Sequence, residues 1–509
     1  ITQSGMFSSD ITMSQRSLPL AYMVSAGNQA VLGQEDFLEI FTDDPAVRAI
    51  GLHIEGLKDI SRFERAALKA LSKGIPVVAL KTGSSEIGSA LTVSHTGSLS
   101  GATELYEALF ARTGVISVTN PSQFIETLKY LCVVGAPKGA RVAGFTCSGG
   151  GATMLADYAE KIGLVFPPVD PVEETALKAL LPEIATVSNP LDYTTPIWGQ
   201  GDLTYPVFAK AIAAVGADAA VLVQDYPAAG LDASKGYYQQ DAAAFGRAAK
   251  EQSLPAAICA TLPENMDLET RQFLIAEGLA PMQGIHETLN AIGQAATWAQ
   301  TRARISLRMP APLLPARQVG ALEMLTEDKG KDWLAKQGVA VPQGRVATAE
   351  QLSEIAHEIG FPVALKMMSP LLAHKTEAGA VALNLNDDAE VSKAAAQMRT
   401  DVTEHKPAAV SDRFLIETMS PPPLAELIVT LRSDPQFGAA LVLGSGGVLV
   451  ELVGDAVTLL LPSTAEDIEK ALKSLRVARL LGGFRGRPKA ELSKIAAEIH
   501  TLCWAYLQD

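Results

Sequence analysis

The chain has few residues that could cross-link or metallate it. Its 4 cysteines in 509 residues, Cys132, Cys147, Cys259 and Cys503, are scattered and show no metal-ligand spacing. That pattern excludes a disulfide scaffold, and the thiols read as reduced groups, mostly in cores, of a cytoplasmic protein. Positive charge is also short: 42 Lys and Arg against 56 Asp and Glu leave a formal net charge of −14. Such a surface is not expected to meet nucleic acid or an anionic membrane. The same deficit means that a phosphate site must be local, built from backbone amides and a few cations. No apolar run is long enough to span a bilayer. There is no initiator methionine. Ile1-Thr2-Gln3-Ser4-Gly5 reads as the end of a strand running into a helix, and a further domain is expected upstream.

What is present suits a globular α/β protein. The hydrophobic fraction of 48% is ample for cores, and a chain of this length predicts two to four domains. Strand-like runs alternate with helical patterns from the start. Ala49–Ile54 and Ile75–Leu80 read as strands, and Arg62–Ser72 carries apolar residues at helical spacing. Such alternation predicts a parallel sheet covered by helices. The pattern restarts near Lys138, with strands at Arg141–Thr146, Ala219–Val223 and Ala256–Ala260 and a helix at Ala152–Ile162. The fold class is therefore read as α/β, with two flavodoxin-like parallel-sheet domains, 1–137 and 138–305. A proline-rich linker, 306–320, contains Met309-Pro310-Ala311-Pro312-Leu313-Leu314-Pro315. Beyond it, 321–509 reads as a mixed α+β domain. Leu322–Gln337, Ile468–Leu475 and Leu492–Leu507 are its helices, and Pro362–Lys366, Ala425–Leu431, Ala439–Leu443 and Val448–Val453 its strands.

The candidate chemistry starts with Val93-Ser94-His95-Thr96-Gly97-Ser98-Leu99-Ser100-Gly101. His95 sits among small residues that leave room around the ring. A lone loop histidine is usually only solvated, but neutral imidazole is also nucleophilic near pH 7 and accepts a phosphoryl group. Glu55, in His53-Ile54-Glu55-Gly56, ends a strand and by itself reads as a solvated carboxylate. Gln3-Ser4-Gly5 and Ser148-Gly149-Gly150-Gly151 open helices. Glycine there permits close backbone approach, and unpaired amides with the helix dipole attract anions; a plain tight turn is the ordinary alternative.

The His95 loop closely resembles the phosphohistidine loop of the NDP-forming acyl-CoA synthetases, relatives of succinyl-CoA synthetase. The third domain resembles the ATP-grasp domain of the same family. The matching segments are Gly360–Lys366, His374–Val381, Asp434–Gly438, Leu443–Leu452 and Leu481–Gly486, in family order. The resemblance implies that His95 carries phosphate between a nucleotide and an acyl group, that Glu55 holds the other ring nitrogen, and that Ser4, Gly5, Ser148, Gly149 and Gly150 receive the phosphate. It implies further that Lys366 meets nucleotide phosphates, that Glu417 falls where the hinge segment contacts adenine, and that Glu451 and Asp434 hold Mg²⁺. Each of these residues has a plainer reading as solvated charge. His374 resembles a second family histidine, and the residues leave open whether it relays phosphate or only touches it.

Two departures stand out. Ala380 replaces the second of two family glycines before Val381, which would crowd a phosphate contact. Members also carry a CoA-binding Rossmann-like domain ahead of the first flavodoxin-like domain, and it does not lie within these residues. The resemblance implies an enzyme that joins a carboxylic acid to CoA with ATP giving ADP and phosphate, with Mg²⁺, as a homo-oligomer without nucleic-acid or membrane partners. Tyr193 and Trp198, after Asn189-Pro190-Leu191-Asp192, are read as lining an acyl pocket, against loop packing. They point to an aromatic acid such as the hydroxycinnamate ferulate. Acetate or dimethylsulfoniopropionate as the acid, a non-catalytic regulatory homologue, and an ATP-grasp ligase with another nucleophile are the alternatives.

Overall fold

A computed structural model of the chain describes residues 1–83, 103–315, 325–372, 375–447 and 454–508. It divides into two compact units, Ile1–Leu313 and Leu314–Asp509.

In the first unit, β1 (Ile50–Ile54), β2 (Val77–Lys81) and β3 (Ile116–Val118) form a parallel sheet in that order. Thr2 pairs in parallel with His53 on one side and Ser25 on the other, so the residues before helix Gly5–Met13 run alongside β1. The strands are almost continuously apolar because both faces are covered. Helix Pro121–Val133 lies so close to β1 that a Cβ on Gly51 would stand 2.6 Å from Leu128 and 2.7 Å from Phe124. Helix Ile60–Lys73 starts on Asp59, whose carboxylate accepts from the Arg62 amide, and stops at Gly74 with φ of 78°.

A second parallel sheet follows in the order β5-β4-β6-β7-β8: β4 (Val142–Thr146), β5 (Leu191–Asp192), β6 (Ala219–Val223), β7 (Ala256–Ala260) and β8 (Ala280–Gln283). The 23-residue helix Ile285–Leu307 packs on helices from both halves. One core therefore runs from Leu71, Val78 and Leu128 to Val142, Val221, Ile292 and Trp298. A buried polar knot also joins the halves. Glu126 binds Lys129 at 3.0 Å and Arg16 at 3.1 Å, and accepts from the Gln283 amide at 3.0 Å. The proline-rich segment begins docked rather than free: Leu313 donates its amide to Glu64 at 2.9 Å, and Arg112, 2.6 Å from Glu64, also bonds the Ala311 carbonyl.

The second unit is antiparallel. β9 (Gly344–Ala347), β10 (Val363–Met367), β11 (Val381–Leu385) and β12 (Phe414–Thr418) form a sheet in the order β11-β10-β12-β9. Helices Leu352–Ile359 and Asp388–His405 pack over it around Val363, Leu365, Met398 and Phe414. A separate sheet joins β13 (Leu427–Asp434), β14 (Gly438–Ser445) and β15 (Ala456–Leu460), with helices Ala465–Ser474 and Leu492–Gln508 closing a second core. Parallel α/β sheets followed by an α+β unit match the fold class read from sequence. The strand expected at Val448–Val453 lies outside the described residues. Among the described residues, no helix is long and apolar enough to cross a membrane.

Candidate nucleotide and phosphate sites

In the second unit the strand register assembles a charged cluster. Lys366 on β10 stands opposite Leu415 of β12, and Glu417, two residues along, shares that face. The Lys366 ammonium lies 2.6 Å from Glu417 Oε1 and 2.6 Å from Glu327 Oε1. Glu327 opens helix Glu327–Lys336, where negative charge is favoured by the helix dipole. It also binds Lys331 at 2.9 Å, one helical turn on, and Lys375 at 2.5 Å. Lys331 reaches Glu417 at 2.5 Å as well.

The electrostatics follow from this packing. Burial works to raise Glu327, but hydrogen bonds from Lys366, Lys375 and Lys331 outweigh it and bring its carboxyl down to about 2. Burial pulls Lys366 down, yet its bonds to Glu327 and Glu417 leave it above its ordinary value. Three ammonium groups face two carboxylates, of which Glu327 is the more exposed. Sequence reasoning singled out Lys366 and Glu417. It missed Glu327 and Lys331 and gave Lys375 no role, although Glu327 and Lys331 carry the spacing of a helical ion pair. The Glu417 carboxylate, in a residue only 4% exposed, is turned to these lysines.

Of the two expected magnesium ligands, only Asp434 lies among the described residues. Asp434 ends β13 and spends Oδ1 on the turn into β14, accepting from Gln436 N at 2.8 Å and Phe437 N at 2.9 Å. Glu451 lies outside the described residues, as do His95 and His374. No group of three or more metal-ligating side chains occurs among the described residues. Asp434 alone does not make a Mg²⁺ site.

In the first unit, Ser4 caps helix Gly5–Met13 by accepting from Phe7 N at 3.2 Å, and Gly5 is exposed. Gln3 ties this turn to the end of β1: its Oε1 accepts from Glu55 N at 2.6 Å and Gly56 N at 3.0 Å. Lys81, at the end of β2, donates to the Glu55 carbonyl at 3.0 Å and lies 4.7 Å over the Tyr106 ring. Burial pulls its ammonium down to about 8. His53 is buried beside this corner. Its Nε2 is 3.1 Å from Thr82 Oγ1, and burial lowers it to about 4, so the ring is neutral at pH 7. Ser4, Gly5 and Glu55 thus share one corner, which Gln3 and Lys81 complete; neither was singled out from sequence. Ser148, Gly149 and Gly150 open helix Gly149–Ile162 at the end of β4, all exposed, and Ser148 makes no side-chain cap bond. Gly151 is a packing requirement, since a Cβ there would lie 2.6 Å from Thr146 Oγ1.

The acyl-pocket reading of Tyr193 is corrected. Tyr193 is fully buried, and its hydroxyl donates to Asp241 at 2.9 Å. Asp241 also accepts from Gly199 N at 3.1 Å and Thr204 Oγ1 at 3.0 Å, so the ring is a core element around a satisfied carboxylate. Trp198 packs on the same core, 4.8 Å from the Tyr238 ring and 5.5 Å from Tyr237.

Comparison with known proteins places this architecture. The Succinyl-CoA ligase like flavodoxin domain matches residues 1–131, and an ATP-grasp domain matches residues 317–503. The acetate–CoA ligase (ADP-forming) I of Archaeoglobus fulgidus is 28% identical over 97% of this chain and 71% of its own length. The beta subunit of the acetate–CoA ligase (ADP-forming) II of Pyrococcus furiosus is 33% identical over 34% of this chain and 72% of its own. The chain belongs to the ADP-forming acetyl-CoA synthetase family. It is a ligase of the ADP-forming CoA class. A trans-feruloyl-CoA synthase from an unidentified prokaryote is 28% identical over 94% of this chain and 67% of its own length. In this family member, Lys366, Glu327 and Glu417 belong to the ATP-grasp part, and Ser4, Gly5 and Glu55 to the flavodoxin-like part.

Proposed function

We propose that this ligase joins a carboxylic acid to CoA through a phosphoenzyme, as a cytoplasmic homo-oligomer. ATP loses its γ-phosphoryl group to the His95 imidazole and leaves as ADP. The phosphoryl group passes to the acid's carboxylate, forming an acyl phosphate, and the CoA thiol displaces inorganic phosphate. The observation that carries the reading is the lysine cluster of Lys331, Lys366 and Lys375 around the carboxylate of Glu327. It suits a polyphosphate chain in a protein whose net charge is −14. Glu55, beside an α-helix N-terminus, would orient His95 and support its positive charge during transfer. Ser148, Gly149 and Gly150 would offer open amides to the same phosphate. Mg²⁺ bound with the nucleotide would neutralise phosphate charge, held from Glu451.

For the acid, we propose an aromatic substrate of the hydroxycinnamate type. Its support is the similarity to the feruloyl-CoA synthase along 94% of this chain; Tyr193 gives none. Turnover of the chain with ATP, Mg²⁺, CoA and each of ferulate, acetate and dimethylsulfoniopropionate tests both statements. ADP, phosphate and feruloyl-CoA are expected. AMP and pyrophosphate would overturn the phosphoenzyme reading, and acetyl-CoA as the main product would overturn the aromatic one.

A further inference from the structure

The corner that joins Ser4, Gly5 and Glu55 contains a polar group with no bonding partner. Gln3 is only 4% exposed. Its Oε1 takes two backbone amides, Glu55 N and Gly56 N. Those bonds settle which end of the carboxamide is oxygen and fix its plane. Among the described residues Nε2 has no hydrogen-bond acceptor. A buried amide donor without an acceptor is costly, and such orphans are rare in native proteins. Here the orphan lies one residue before the N-cap of helix Gly5–Met13, where Ser4 accepts from Phe7 N and the other amides of the first turn have no side-chain acceptor among the described residues.

Positive charge stands at the same place. Lys81 grips the carbonyl of Glu55 while Gln3 grips the amide of that residue, so the two side chains flank one peptide segment. Lys81 carries no carboxylate partner within ion-pair distance among the described residues. A half-buried ammonium held by the Glu55 and Thr82 carbonyls, a buried amide donor without an acceptor and open helix amides stand together at this corner. An oxyanion is the kind of group that would accept from all three.

Resting on the phosphoenzyme reading above, we propose that Gln3 is a binding residue of the phosphoryl-transfer site: its Nε2–H donates to an oxygen of the phosphoryl group presented at the end of β1, and Lys81 supplies the counter-charge. The same carboxamide holds the backbone of Glu55, so arrival of the phosphate is coupled to the position of the orienting carboxylate.

Gln3→Glu tests this because it keeps the oxygen that accepts from Glu55 and Gly56 and replaces the donor with an anion. Two donors are compared for labelling of His95. With the [³²P]acyl phosphate of the acid that the chain turns over, the bond from phosphorus to the acyl oxygen breaks, a phosphorus–nitrogen bond forms, and the acid leaves as its carboxylate. With [γ-³²P]ATP, ADP leaves. The half-saturating acyl phosphate concentration of Gln3→Glu should rise, relative to its half-saturating ATP concentration, by roughly tenfold to a hundredfold. A purely structural role of Gln3 would move both together, and an unchanged ratio would overturn the proposal. Wild-type chain labelled with ¹⁵N-glutamine gives an independent reading. The Gln3 side-chain amide resonances should shift on titration with inorganic phosphate; no shift would overturn the proposal even if Gln3→Glu fails to fold. If neither donor labels the wild-type chain but phosphate still shifts the Gln3 amide, the phosphoenzyme reading fails and the anion site stands.

Discussion

Replacing Glu327 by Gln should loosen helix Glu327–Lys336 from its sheet in a pH-dependent way. This helix has no fully buried side chain, so its attachment leans on the bonds that Glu327 makes to Lys366 and Lys375 and that Lys331 makes to Glu417. The Glu327 carboxyl is held down to about 2 from an ordinary 4.5. In a closed site that difference would amount to about 3 kcal/mol. The side chain is 25% exposed and the group only half enclosed, and solvent screening reduces the figure to about 1–2 kcal/mol. A depressed carboxyl stabilises the folded form fully above its unfolded value and loses that contribution as pH falls through its folded one. The effect should therefore be whole at pH 7 and shrink from about pH 4.5 toward pH 2. Amide exchange of peptides covering residues 327–336 in the full chain reads it locally. At pH 7, Glu327→Gln should speed exchange about 5–30-fold, and at pH 3, after correction for intrinsic rates, the two chains should draw together. Equal protection at pH 7, or a difference that grows in acid, would show that Glu327 does not hold this helix to its sheet.

Two further substitutions test the packing around the sites. Gly51→Ala forces a Cβ against Leu128 and Phe124 and should cost about 1–3 kcal/mol, read as a lowered urea midpoint; an unchanged midpoint would mean that helix Pro121–Val133 is not seated as described. Tyr193→Phe removes a donor from the buried Asp241 and should cost about 1–3 kcal/mol while leaving the ranking of acids in a turnover panel unchanged. A changed ranking would restore Tyr193 to the acyl pocket.

Much of the fold was legible because its strands are short apolar runs between helix signals. Ala219–Val223 and Ala256–Ala260 are strands over the ranges read from sequence. β3 and β8 were missed: Ile116–Val118 is only three residues long, and Ala280-Pro281-Met282-Gln283 contains a proline that argues against a strand. The sites were legible only in part. Lys366 ends an apolar strand and so draws notice, but its partners come from Glu327, 39 residues earlier, and from Glu417 across the β10–β12 register. That pairing exists only after folding. Gln3 is similar, for its donor is informative only because two amides near residue 55 claim its oxygen. Tyr193 misled because its neighbours in sequence are loop residues, whereas its partner Asp241 lies 48 residues on. Asp434 belongs to a family motif, yet locally the same carboxylate serves as the acceptor that closes a hairpin turn.

In the proposed reaction His95 carries the phosphoryl group. Incubation with [γ-³²P]ATP and Mg²⁺, without acid or CoA, followed by denaturation and peptide mapping, tests it directly. One label is expected, acid-labile and base-stable, on the peptide containing His95, formed with release of ADP and absent from His95→Ala. A label that survives His95→Ala, or a folded wild-type chain that binds ATP and takes no label, would contradict it.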